Sequence, residues 1–127
     1  MNHTVFKALI TNYINAYNSF DIDGIVRLLH HDIEFRNISN GAVDTETKGI
    51  EQFRTLAERS AKFFSQRRQT VKDIIMNDDK AVIEIDYEAI LASDLPNGLK
   101  AGQTIKMQGK SIFQMKDEKL IMIEDYS

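Results

Sequence analysis

The chain reads as an α+β protein in which three helices from the N-terminal half cover a cone-shaped, strongly curved antiparallel sheet. Two observations predict this. Apolar residues recur at helical three-and-four spacing only as far as Phe64, and beyond it the ordered stretches alternate with the period of strands. A length of 127 residues, 43% of them apolar, suits one core, so residues 1–127 are read as a single domain.

The first helix, Val5–Phe20, places Val5, Phe6, Leu9, Ile10, Tyr13, Ile14 and Tyr17 on one face. Asp21 offers an N-cap to a second, short helix with Ile22, Ile25, Val26, Leu28 and Leu29, in which Gly24 lowers the propensity. Asp32–Ile38 is the first strand, closed by the turn residues Ser39-Asn40-Gly41. A weak extended piece, Ala42–Lys48, leads to Gly49. Ile50, Phe53, Leu56, Ala57, Ala61 and Phe64 then form the buried stripe of a third helix. The strands Gln69–Met76, Lys80–Ala92, Thr104–Met115 and Lys119–Tyr126 follow and are expected to pair consecutively and antiparallel. Turns fall at Asn77-Asp78-Asp79 and Lys116-Asp117-Glu118, and only Ser93–Gly102 is long enough for a mobile loop.

Composition excludes several function classes. A net charge of −3 with no basic concentration argues against nucleic acid as a partner. The absence of cysteine removes disulfides, thiolate zinc sites and cysteine nucleophiles. The longest apolar runs, Ala89–Ala92 and Leu120–Ile123, are too short to span a membrane, and Met1-Asn2-His3-Thr4 has no charged region leading into a signal core, so a soluble cytoplasmic protein is expected. No Gly-rich phosphate loop, nucleophile elbow or metalloprotease helix is present. His30 and His31 read as capping or solvated residues beside a helix end, and no dense ligand loop surrounds Asp86, Glu88 or Asp125, so neither metal nor cofactor is expected. Arg67-Arg68 with Lys62 reads as a solvated helix end, and Met76, Met107, Met115 and Met122 as packing residues of strands.

The polar candidates come from strand alternation. One face of 81–91 carries Ala81, Ile83, Ile85, Tyr87, Ala89 and Leu91, and the other carries Glu84, Asp86 and Glu88 between Val82 and Ile90. If the acidic face is concave, Asp86 and Glu88 project the same way, and their repulsion would raise one pKa to give an acid and base pair. If it is convex, they are solvated. Asp125 shares a face with Ile121 and Ile123, so it either serves a pocket or marks a strand end that reaches solvent near the C-terminus. Tyr13 and Tyr17 fit either as amphipathic core residues or as hydrogen-bonding groups in that pocket.

The order of helix, short helix, strand, helix and four long strands resembles the nuclear transport factor 2-like superfamily, and within it the SnoaL-like and ketosteroid-isomerase-like proteins. The resemblance covers nearly the whole chain and is carried by Tyr13–Leu29, His31–Phe35, Lys48–Phe53 and Ile123–Tyr126. It implies a cystatin-like roll enclosing an apolar cavity. Tyr13 matches the ketosteroid-isomerase tyrosine, but the general-base position falls on Asn37, which takes no proton at neutral pH, and the protonated-Asp position falls near Ser111. This argues against steroid isomerase chemistry. Against limonene-epoxide hydrolase, Asn37, Glu88 and Asp125 resemble its Asn and two Asp, whereas Phe35 and Asp86 stand where its Tyr and Arg would be.

Two readings stand. In one, Asp125, Glu88 and Asp86, with Asn37 and Tyr13 as hydrogen-bonding groups, perform cofactor-free acid–base chemistry (isomerisation, cyclisation or hydrolysis) on a small apolar molecule. In the other, the same cavity belongs to a ligand-binding or dimeric scaffold module. The ligand is expected among Phe6, Tyr17, Phe35, Phe53, Ser111 and Phe113, with Asn37 deep in the cavity beside Tyr13. A homodimer is expected through the apolar face Ile83, Ile85 and Tyr87, which would need cover if the acids faced inward.

Overall fold

Helix α1 (His3–Asn18) buries Phe6, Leu9, Ile10, Tyr13, Ile14 and Ala16, the stripe that its periodicity dictates. The computed structural model describes residues 3–127, so Met1 and Asn2 of the N-terminal leader reading lie outside the described residues. Past Asn18 the chain closes a Schellman turn: Asp21 N–H donates to Ala16 O at 2.9 Å and Phe20 N–H to Tyr17 O at 3.2 Å, with Phe20 at φ 60°. Asp21 then caps α2 (Ile22–Val26), its Oδ1 accepting from Gly24 N–H at 2.9 Å. A Cβ at residue 24 would collide with that carboxylate, which is why glycine sits inside so short a helix.

Strands β1 (Leu29–Ser39) and β2 (Ala42–Lys48) form a hairpin across Asn40 and Gly41, both at positive φ, as a two-residue turn requires. The weak extended piece is thus a full strand. Helix α3 (Ile50–Ala61) follows, and then β3 (Phe64–Asn77), β4 (Lys80–Leu91), β5 (Thr104–Lys116) and β6 (Lys119–Tyr126). The six strands make one curved, unclosed sheet in the order β2-β1-β6-β5-β4-β3, bent at irregularities such as those at Asn37/Ile38 and Val71/Asp73.

Two features depart from the sequence expectation. The last strand returns beside the first and pairs with it in parallel, Asn37 opposite Asp125, because the intervening hairpin, helix and three-strand meander supply the long crossover such pairing needs. The third helix stops at Ala61, and Phe64 opens β3 opposite Leu91, so pairing with β4 overrides the helical spacing that reached Phe64.

The helices cover the apolar face of β4. Ala81, Ile83 and Ile85 are buried in one core with Phe6, Ile10, Ile33, Phe113 and Ile123 among others, and Ala89 and Leu91 further along the strand are buried too. That face is covered within the single chain, which removes the reason for expecting a dimer through it.

Candidate functional site

One row of paired residues crosses the sheet interior: Thr45, Asn37, Asp125, Ser111 and Ile83, each opposite the next on β2, β1, β6, β5 and β4. Above it, between the sheet, the C-terminal half of α1 and α3, lies a cavity of about 450 Å³. Its apolar walls include Phe35 and Phe53, in edge contact with centroids 5.8 Å apart, together with Leu56, Ile85 and Phe64. A pocket of this size and composition is of the kind that takes a small molecule.

Asp125 accepts a hydrogen bond from Ser111 Oγ at 2.7 Å through Oδ1, and among the described residues Oδ2 has no donor. Burial raises its pKa from 3.8 to about 6, the Ser111 bond opposing the shift only in part. Tyr13, 4% exposed, rests edge-on against Phe113 with centroids 5.4 Å apart, and its hydroxyl has no hydrogen-bond partner among the described residues. Burial first, and the Asp125 charge second, push the Tyr13 phenol far above its ordinary value, so it stays a neutral donor. Tyr17 and Tyr87 share a hydroxyl–hydroxyl bond of 3.0 Å, and burial raises both phenols as well.

Asn37 lies beside Asp125 in the row, but its amide turns to the rim: Nδ2 donates to the carboxylate of exposed Asp44 at 3.0 and 3.1 Å and to Ser39 Oγ at 3.3 Å. That bond is the leading cause of the lowered Asp44 pKa. Asn37 thus lines the same cavity as Tyr13, with its donor engaged on the Asp44 side.

Of the remaining predicted site residues, Tyr17, Phe35, Phe53 and Ser111 line the cavity, and Phe6, Phe113, Asp86 and Glu88 do not. Phe6 and Phe113 are packed solid in the core, Phe6 two helical turns before Tyr13 and away from the opening. Asp86 and Glu88 belong to the opposite face of the sheet. With period-2 alternation, burying Ile83, Ile85 and Ala89 forces Glu84, Asp86 and Glu88 outward. There they stand opposite Lys110, Gln108 and Lys106 of β5, and Asp86 Oδ2 lies 3.5 Å from Lys72 Nζ. They take no part in the cavity.

Among the wall residues outside the predicted site are Tyr87 and Arg67. The sequence puts Tyr87 on an external face only if the β4 acids point inward, and reads Arg67 as part of a solvated helix end. Arg67 is instead buried, because β3 begins at Phe64 and turns Arg67 inward; its Nε donates to Tyr17 O at 2.8 Å and its guanidinium lies over the Tyr17 ring at 3.7 Å. Gln69, two residues further along the strand, also lines the cavity, and its Oε1 is buried with no donor among the described residues.

Elsewhere, His30, His31 and Asp32 bring potential ligand atoms within 4.8 Å of one another. His30 Nδ1 already accepts the Asp32 N–H at 3.0 Å, which removes one nitrogen from any such set. None of the three lines the cavity.

Comparison with solved structures identifies the fold. A candidate polyketide cyclase of Xanthomonas campestris pv. campestris superposes with a TM-score of 0.81 at 20% identity, over 100% of this chain and 93% of its own. A candidate hydroxylase, AclR of Streptomyces galilaeus, gives 0.75 at 23% identity, over 94% and 85%. A candidate polyketide cyclase, IdmH of Streptomyces antibioticus, gives 0.77 at 15% identity, over 94% and 88%. No curated protein matches the chain in sequence. The model of the SnoaL-like domain matches residues 10–123, so the chain belongs to the SnoaL-like family.

Proposed function

We propose that the protein is a cofactor-free acid–base enzyme that transfers a proton at carbon in a small apolar carbonyl compound, in an isomerisation or cyclisation. The observation that carries this reading is Asp125: a half-buried carboxyl in the wall of an apolar cavity, with pKa about 6 and only one oxygen engaged. At neutral pH such a group is mostly ionised yet poorly solvated, the condition in which a carboxylate is an effective general base. Tyr13 is the complementary donor. Its phenol stays protonated and is free to hydrogen-bond the oxygen that becomes negative when Asp125 removes a proton from the adjacent carbon. Candidate polyketide cyclases among the structural neighbours agree with this chemistry.

The committed Asn37 amide favours a second reading, a binding module, since the residue at the ketosteroid-isomerase base position neither takes a proton nor offers a free donor to the cavity. A generic base probe separates the two. In 5-nitrobenzisoxazole a base takes the C3 proton, the C–H electrons form the nitrile, and the N–O bond breaks to a coloured phenolate. The wild type is expected to accelerate this elimination with a rate that rises with pH around a midpoint near 6. Asp125→Asn should lower it by about a hundredfold. Saturable binding of the probe with no acceleration would favour the binding module, and an acceleration that survives unchanged in Asp125→Asn would remove Asp125 as the base.

A further inference from the structure

Arg67 is 5% exposed, and among the described residues no carboxylate lies within ion-pair distance of it. This inverts the usual pattern, in which a buried charge is paired and an exposed one need not be. Two more exposed arginines are paired: Arg36 meets Glu34, Glu46 and Glu124, and Arg54 meets Asp23. What holds Arg67 is different. Its guanidinium lies between the Tyr17 ring at 3.7 Å and the Phe20 ring at 4.4 Å, and Nε donates to the Tyr17 carbonyl in the last turn of α1, where the helix dipole is negative. These contacts position a cation but employ only one of its five N–H donors. The four N–H groups on the two Nη atoms have no protein acceptor among the described residues, and Arg67 is part of the cavity wall.

We propose that the Arg67 end of the cavity is a subsite for a compact oxyanion, so that the ligand is an apolar molecule bearing a carboxylate or a similar group. The rigid fork of a guanidinium matches two oxygens of such a group at once. The Tyr17–Tyr87 hydroxyl pair and Gln69 surround the same end with further polar groups. Asp125 is on β6, three strands from Arg67 on β3, and Tyr13 and Tyr87 lie between, each sensing both charges. A ligand anchored by its anion at Arg67 therefore extends its apolar body toward Asp125 without bringing the two negative charges together. The inference deepens the proposed function by naming a substrate class, but it rests only on the cavity holding a ligand, not on turnover.

The test uses two fluorescent probes that differ by one group: 1-anilinonaphthalene-8-sulfonate and its neutral parent, N-phenyl-1-naphthylamine. The wild type is expected to bind the sulfonate at least about tenfold more tightly than the parent. Arg67→Gln should abolish that preference while leaving the parent's affinity unchanged, and Arg68→Gln, on the exposed outer face, should leave both unchanged. Arg67→Lys, which keeps the charge and loses the fork, should retain part of the preference and guards against a folding defect in Arg67→Gln. Equal affinity for the two probes in the wild type, or a preference that survives in Arg67→Gln, would overturn the anion subsite. Failure of both probes to bind would overturn the cavity as a ligand site as well, whereas an anion preference without elimination activity would leave the subsite standing and remove only the enzyme reading.

Discussion

Asp125 lines the cavity, and its burial has a thermodynamic sign. Its folded pKa, about 6, lies above the ordinary 3.8, so between those values the folded state holds more of its proton than the unfolded state does. The stabilisation is full below pH 3.8 and is lost as pH rises through 6, which at pH 7 amounts to a cost on the order of 3 kcal/mol. Asp125→Asn keeps an acceptor for Ser111 and removes the half-buried charge. It is expected to raise the melting temperature at pH 7 and to lose that advantage by pH 4, as thermal melts at the two pH values would reveal. Stability gained with activity lost is the trade that a functional carboxyl, but not a structural one, should display. The signal for Asp125 was in the sequence, an acid in phase with Ile123. The acids of β4 carried the opposite signal: Glu84, Asp86 and Glu88 are in phase with one another and out of phase with every large apolar neighbour except Val82 and Ile90. Their partners Lys106 and Lys110 on the next strand complete a solvated ladder. Arg67 gave no comparable signal, because its inward turn depends on where β3 begins, and polar Ser65-Gln66-Arg67-Arg68 has no alternation to show it.

At the scale of elements, local chemistry was legible wherever a cap or turn residue fixes the backbone. Asp21 before the second helix, Asn40-Gly41 in the first hairpin and Gly49 before the third helix all perform the roles their types suggest. The α2 cap makes a sharp case. In an ordinary helix Gly→Ala stabilises by about 1 kcal/mol through reduced chain entropy. At residue 24 the added Cβ collides with the Asp21 carboxylate, whose hydrogen bond to Gly24 N–H is the cap. Gly24→Ala should therefore destabilise by about 1 kcal/mol, the usual worth of an N-cap. In an Asp21→Ala background the obstacle is gone and the same substitution should stabilise. A double-mutant cycle by urea denaturation measures that change of sign; additivity of the two substitutions would show that the carboxylate is not what excludes a side chain. Boundaries decided by pairing were less legible. The sequence of β2, Ala42-Val43-Asp44-Thr45-Glu46-Thr47-Lys48, is polar and weakly patterned, and it becomes a strand because β1 supplies partners along its length.

At the scale of the molecule, the parallel return of β6 beside β1 is what assembles the candidate site. It sets Asp125 next to Asn37, residues 88 positions apart, and no local pattern encodes such a neighbour. The same topology leaves the outer face of β3, β4 and β5 without cover, and its charge pattern bears on self-association. β4 presents Glu84, Asp86 and Glu88 in a column, and β5 presents Lys110 and Lys106 opposite the first and last of them. A two-fold axis running along the strands between β4 and β5 would lay the acid column of one copy over the lysine column of the other. It would also bring Val82 of each copy over Ile112 of its partner at the apolar end of the face. The homodimer expected from the sequence therefore cannot use the buried face of β4, but it can use the outer one, with an apolar end and complementary charge columns. Light scattering at micromolar concentration is expected to give twice the chain mass for the wild type. Val82→Glu, a substitution on a half-exposed position that adds a third negative charge beside Glu84 and Asp86, should give the mass of one chain with an unchanged circular dichroism spectrum. A wild-type protein that scatters as a single chain, or a Val82→Glu variant that remains paired, would show that this face does not join two copies.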